Sequence, residues 1–388
     1  MHRSLTSRQT VDLSGRGLRS SEGATNIIHA ISGRQVVTQL VIGHNPLGND
    51  GCERLFNWLA SPSGQHYRIQ TLYLNVCNIG DYGLLALCQY LTNNVDLKAL
   101  WLQSNEFSGD PDVMAPFIAA LNSSRIEMLS FSNSRPEVIT ALVRQVDTPF
   151  LRELQCSMCA LRSEHAASLV SYVISGRCRL HTLRANANSI GLRAVRELVS
   201  GIEAANYSLL NLDLYMNGSV EDDTAEDIQA KEETSKLLKL LLARNLTLKH
   251  STEAESFALL RYSRRLLLCG VKSAEVGPTF GGLPIELRLY ILSFLAPTLS
   301  ALQRIRIFSY ASDPATLPSL LPSLTRPCLP DPASLQFANS QRCDAETCAG
   351  SASNVVCSRE ESKKMWLASM GCDCYDPGSC GVEDKGKA

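Results

Sequence analysis

LKALWLQSNEF, residues 97–107, decides the fold. Its leucines fall at Leu97, Leu100 and Leu102, Asn105 follows three residues later, and Phe107 closes the stretch. Leu100 and Leu102 have the two-residue alternation of a strand that buries one face. Asn105 stands where the chain turns out of that strand, and its amide can bond the backbone groups exposed there. Written as LxxLxLxx(N/C)x(L/I), the pattern recurs in VTQLVIGHNPL from Val37, IQTLYLNVCNI from Ile69, LRELQCSMCAL from Leu151 and LHTLRANANSI from Leu180. LLNLDLYMN from Leu209 follows it as far as Asn217, and TVDLSGRGL from Thr10 and IEMLSFSNS from Ile126 are weaker copies.

The second apolar strand position falls at Leu13, Ile42, Leu74, Leu102, Phe131, Cys156, Ala185 and Leu214, in steps of 29, 32, 28, 29, 25, 29 and 29. A period near 29 leaves room for one strand and one helix per unit. GCERLFNWLA, DYGLLALCQYL, VMAPFIAAL, HAASLVSYVI and LRAVRELVSGI carry apolar residues at helical spacing in the intervals. A single unit cannot bury its apolar face, so the units must stack.

This pattern resembles the ribonuclease-inhibitor-like leucine-rich repeats, a family that includes the Ran GTPase-activating proteins and the repeat regions of many immune receptors. The resemblance covers about residues 8–250. It implies an α/β leucine-rich-repeat solenoid, a horseshoe of about eight strand–helix repeats, here followed by a C-terminal helical extension and a Cys-rich tail. The slot at the turn is filled by Asn45, Cys77, Asn105, Cys159, Asn188 and Asn217. Within the repeat, the CSMC of Cys156 and Cys159 is a core position and a turn position rather than a redox or zinc motif.

Strand residues between the inward leucines face the concave side. One column reads Asp12, Val41, Tyr73, Trp101, Ser130, Gln155, Arg184, Asp213, and the next Ser14, Gly43, Asn75, Gln103, Ser132, Ser157, Asn186, Tyr215. Tyr73 and Trp101 fall on neighbouring strands, about 5 Å apart, and exposed aromatics are enriched where proteins bind proteins. The expected partner site comprises Tyr73, Trp101, Gln103, Gln155, Arg184, Asp213 and Tyr215. The alternative for the aromatic pair is a stack that only shields the sheet. No nucleophile, base and orienting group come together: His44, His165 and His181 belong to different repeats. A catalytic role is not expected.

With 37 basic and 38 acidic residues the formal net charge is −1, which offers no footprint for nucleic acid or a membrane surface. MHRSLTSRQT lacks the apolar core of a secretory signal, and no run of about 18 apolar residues is present. A cytoplasmic or nuclear protein is expected. The sequons at Asn122, Asn206, Asn217 and Asn245 then carry no sugar.

Beyond Asn217 an acidic, polar stretch from Gly218 leads into SKLLKLLLARN and AESFALLRYSRRLLL, read as two amphipathic helices that close the array. Arg261, Arg264 and Arg265 fall on the polar side of the second. LPIELRLYILSFLAP, residues 283–297, opens a further helix whose Leu283, Leu287, Ile291 and Leu295 form an apolar stripe beside Leu292. It resembles the start of an F-box at Leu283, Pro284, Glu286, Leu287, Ile291, Leu292 and Leu295. That resemblance implies docking on the adaptor of a cullin–RING ubiquitin ligase, with the repeats choosing the substrate. It departs from the family after about 13 residues: RIRIFSYASD has neither the Cys nor the Trp of the family's second half. The other reading is a helical hairpin packed on the protein's own cap.

Six prolines between Ala311 and Ser340 mark a linker. Six cysteines follow, Cys343, Cys348, Cys357, Cys372, Cys374 and Cys380, with no His beyond His250. They are candidates for structural zinc, for free or redox-active thiols, or for disulfides. REESKKMWLASM between them reads as one short helix around Trp366. The expected organisation is a leucine-rich-repeat domain over 1–250, a capping helix and linker over 251–282, an F-box-like hairpin over 283–310, a Pro-rich linker over 311–340 and the Cys-rich tail over 341–388. Two functions fit it: a non-catalytic protein-binding scaffold, used as a substrate receptor in ubiquitin ligation, or a regulator of a small GTPase like the Ran activators.

Overall fold

The computed structural model describes residues 9–218, 224–268, 280–316 and 358–378. The chain divides into two compact units, Met1–Ala243 and Arg244–Ala388.

The first unit alternates strands and helices: β1 (Thr10–Asp12), α1 (Ser20–Ser32), β2 (Gln39–Val41), α2 (Gly48–Ala60), the one-turn α3 (Pro62–Gln65), β3 (Thr71–Tyr73), α4 (Asp81–Leu91), β4 (Ala99–Trp101), α5 (Pro111–Ser123), β5 (Met128–Ser130), α6 (Pro136–Gln145), β6 (Glu153–Gln155), α7 (Ser163–Ile174), β7 (Thr182–Arg184), α8 (Gly191–Ala205) and β8 (Asn211–Asp213). The strands form one parallel sheet in sequence order. Each central residue, from Val11 through Leu40, Leu72, Leu100, Leu129, Leu154 and Leu183 to Leu212, is buried against the helices. The next apolar position is buried too from Ile42 to Ala185, with Phe131 filling its repeat by edge contacts to Phe107 and Phe117 at 5.7 Å.

The strands pair residue for residue although the steps between repeats range from 25 to 32. All of that variation lies on the helix side. The longest step holds the extra turn α3, and the shortest holds α6 with only 10 residues.

A buried ladder runs beside the strands. Asn105 donates through Nδ2 to the carbonyls of Leu74 and Leu102, both at 2.9 Å, and accepts through Oδ1 from the N–H groups of Cys77 and Ile79. Asn188 repeats the arrangement with Cys156, Ala185, Cys159 and Leu161. The Cys slots use only a thiol donor: Cys77 Sγ to Ile42 at 3.4 Å and Cys159 Sγ to Phe131 at 3.3 Å. The N–H groups of each Cys turn are accepted by the asparagine of the next repeat. Asn105 and Asn188 thus finish the turns that Cys77 and Cys159 begin.

The residue before each slot has a left-handed backbone: His44, Val76, Ser104, Asn133, Met158, Ala187 and Met216 have φ between 53° and 58°. At Gly43 a Cβ would lie 2.5 Å from Asn75 Oδ1, so any larger residue there has to displace the Asn75 amide.

Where two helices are expected after the repeats, one is found. α9 (Ala225–Leu268) runs 44 residues without interruption, and no Gly or Pro occurs in it to break it. Leu237, Leu238, Leu241 and Leu242 pack on the repeat core.

In the second unit, Leu259 and Leu260 of α9 share a small core with residues of α10 (Ile285–Ser293), α11 (Ala301–Ser312) and α12 (Ser358–Met370). Trp366 of α12 stacks on Phe257 at 5.3 Å and meets Tyr310 edge-on at 5.8 Å. Gln303 caps α11 with Ser300 and donates to the carbonyls of Gly371 and Cys374.

Two details differ from the helical periodicity. Arg264, expected on the polar side of its helix with Arg261 and Arg265, is buried at 3% exposure, while the other two are exposed. The stripe of α10 is also turned outward. Leu287, Ile291 and Leu295 are exposed together with Ile285, Tyr290 and Phe294, and Leu292 alone of the F-box-like leucines and isoleucine is buried. Periodicity locates an apolar face but does not say what covers it.

Candidate functional site

The sheet face opposite the helices carries the strand residues that alternate with the buried leucines. Ladder pairing sets Asp12, Val41, Tyr73, Trp101, Ser130, Gln155, Arg184 and Asp213 side by side across eight strands. The rings of Tyr73 and Trp101 stack with centroids 5.2 Å apart and planes 17° apart. Both are half-buried rather than fully solvent-facing, since each covers one side of the other. Ser130, the next residue across, is small and fully buried. Trp101 Nε1 and Ser130 Oγ have no hydrogen-bond partner.

Two strands further on the face becomes charged. Arg184 Nε lies 3.2 Å from Glu153 Oε1 and 3.9 Å from Asp213 Oδ2, and Gln155 donates to the same Glu153 oxygen at 2.7 Å. These groups are part-exposed, so their attraction is screened and fixes orientation more than stability.

The second column is partly occupied with internal bonds. Ser132 Oγ accepts from the N–H of Ser157, Ser157 Oγ from that of Asn186, and Asn186 Oδ1 from that of Tyr215. Gln103 is half-buried on the same face, and Tyr215 is 65% exposed at its end.

Among the described residues the histidines and cysteines do not assemble into reactive pairs. His165 Nδ1 accepts from the Arg162 N–H, and the His44 ring meets the Asn75 amide at 3.3 Å. Burial pushes the Cys77, Cys88 and Cys159 thiols up to about 11 and raises Cys52 and Cys156 further. A thiol so protonated is a poor nucleophile.

Of the tail cysteines, Cys372 and Cys374 are buried in the second unit, with Cys372 pushed up to about 12 by burial. Cys343, Cys348, Cys357 and Cys380 lie outside the described residues. Among the described residues no group of three or more His, Cys, Asp or Glu is placed to hold a metal. No helix among them is long and apolar enough to cross a membrane.

No protein-family model matches the chain. Two mouse (Mus musculus) proteins are similar to it. "NACHT, LRR and PYD domains-containing protein 5" is 26% identical over 190 residues, 48% of this chain and 14% of that protein. "Ribonuclease inhibitor" is 22% identical over 225 residues, 57% of this chain and 42% of that protein. The chain thus spans less than half the length of either. Among solved structures, "Leiomodin-1 Actin-Binding Site 2 (ABS2)" aligns with 62% of this chain and 81% of its own at 12% identity, with a TM-score of 0.18 that carries no weight.

The fold is a leucine-rich-repeat solenoid. Its eight parallel strands alternate with helices, and LRR stands in the name of one of the two similar mouse proteins.

The leucine-rich-repeat face holds one column more than the two read from the sequence. The first residue of each strand, from Thr10, Gln39, Thr71, Ala99 and Met128 to Glu153, Thr182 and Asn211, points to the same side as the third. It supplies Glu153, the hub of the charged cluster. The two-residue alternation was the signal that would have found it. The left-handed rim was not legible, and it adds Met158 and Met216, exposed by 58% and 76%.

Proposed function

We propose that this chain is a non-catalytic protein-binding scaffold that takes its target on the concave face of the repeats. The observation that carries this is the Tyr73–Trp101 stack set beside the Glu153–Arg184–Asp213 cluster. A rigid aromatic platform next to oriented charges is the composition of a binding hot spot. The inhibitor named among the similar proteins supports protein binding as a use of this repeat type.

The target would be presented to an F-box-like adaptor contact on α10. Exposure of Leu287, Ile291 and Leu295, with Tyr290 and Phe294 packed against each other beside them at 5.0 Å, supports this, because these are the residues the F-box resemblance assigns to docking. No observation favours the small-GTPase reading.

The test is crosslinked affinity purification of the full chain followed by mass spectrometry. Tyr73→Ala with Trp101→Ala should lose the target and keep the ligase adaptor. Leu287→Asp with Ile291→Asp should do the reverse. Recovery of the same proteins by all three chains would overturn both assignments.

A further inference from the structure

We propose that the second unit contains an oxyanion-binding site anchored by Arg264, which takes a carboxylate or phosphate group on the free edge of its guanidinium.

Arg264 is held on one side only. Its Nη1 donates to the Asp313 carbonyl at 3.1 Å and to Thr316 Oγ1 at 2.5 Å. The guanidinium carbon lies 5.2 Å from the centre of the Tyr310 ring. These contacts fix both the position and the plane of the group. What remains is the edge formed by Nε and Nη2, and both atoms are buried without a hydrogen-bond partner. That edge presents two parallel N–H groups, the fork that pairs with two oxygens of a carboxylate or phosphate.

A guanidinium is a cation with five donors and no acceptor. Among the described residues no carboxylate pairs with it, and its side chain is only 3% exposed. A buried cation without a counter-charge is costly, and such groups are normally paired. The neighbouring unpartnered atoms are of the same kind. Tyr310 Oη and Trp366 Nε1 are buried without partners, and their rings are 5.8 Å apart. Burial raises the Tyr310 hydroxyl above its ordinary value, so it keeps its proton. The indole and guanidinium can only donate. Arg264 lies over the Tyr310 ring and Tyr310 meets Trp366, and these unsatisfied donors call for an acceptor with negative charge.

The experiment is hydrogen exchange on the full chain, titrated with inorganic phosphate or with acetate and compared with chloride at the same ionic strength. Peptides covering 257–268 and 305–316 should gain protection saturably, and the thermal midpoint of the second unit should rise by about 5 °C near saturation. Protection by phosphate alone identifies a phosphate-bearing ligand, and by acetate alone a carboxylate. Arg264→Lys keeps the charge but lacks the fork, and it should lose the response at least tenfold. If neither anion exceeds chloride in the wild-type chain, the proposal fails, whatever the variant does. It also fails if Arg264→Lys folds and responds like wild type, since the effect would then be charge alone.

Discussion

The main-chain N–H of Cys159 donates to Asn188 Oδ1 at 2.9 Å, across 29 residues of sequence. The same oxygen accepts from Leu161, so one side chain finishes the turn of the preceding repeat. The cysteine in that turn lacks the acceptor to do so for its neighbour.

Asn188→Ala should therefore be costly. It leaves the Cys156 carbonyl and two N–H groups buried without partners, each worth about 1–3 kcal/mol, while the Ala185 carbonyl keeps its bond from Asn217. A loss on the order of 3–5 kcal/mol is expected in urea unfolding followed by circular dichroism. Cys77→Ala removes only a weak donor and a small volume, and about 1 kcal/mol is expected. Equal losses in the two variants would contradict the ladder's asymmetry.

Trp101→Ala should leave the fold intact. The stack with Tyr73 contributes about 0.5–1.5 kcal/mol beyond the area it buries. An unchanged far-ultraviolet spectrum, with a thermal midpoint lower by a few degrees, is the expected outcome. Collapse of the spectrum would mean that the pair holds the sheet together.

Leu287→Asp and Leu292→Asp separate the two faces of α10. Leu287 is 48% exposed, and its change should move stability by no more than about 0.5 kcal/mol. Leu292 is 2% exposed within the second core, and a buried carboxylate there should unfold that unit. Limited proteolysis distinguishes them: rapid cleavage between 280 and 316 in the second variant only.

Stability should fall at alkaline pH. An ordinary thiol loses its proton near 9.0, whereas Cys77 and Cys159 hold theirs in the folded state to about 11. Above pH 9 the unfolded chain releases protons that the folded chain keeps, which favours unfolding. The contribution is complete below pH 9 and is lost progressively towards pH 11. Urea midpoints between pH 8 and 10.5 should decline, and Cys159→Ser should flatten the slope. A midpoint independent of pH would refute the burial of these thiols.

The repeat was legible because its signal is local. Leu100, Leu102 and Asn105 state strand, core and turn within six positions, and the alternation that buries Leu72 and Leu100 also sets Tyr73 beside Trp101. What escaped reading is set by distant packing. Arg264 stands beside Arg265 in sequence and looks equally polar, yet Tyr310 and Thr316 enclose it. Leu287 and Leu292 are equally apolar, and only the core formed with Leu259 and Trp366 decides which is inside. Glu153 was within reach, since it occupies the strand position two before Gln155.

The unbroken strand register under unequal repeat lengths has a consequence for exchange of parts. Length is a free variable on the helix side, where α3 adds a turn and α6 is short. It is a constant on the strand side, where the ladder counts every residue. A segment cut from one turn slot to the next is therefore an interchangeable cassette. It carries three concave side chains, and its neighbours need only an amide or a thiol at each joint. Specificity in this architecture is written in triplets, and an insertion beyond the slot leaves the wording unchanged.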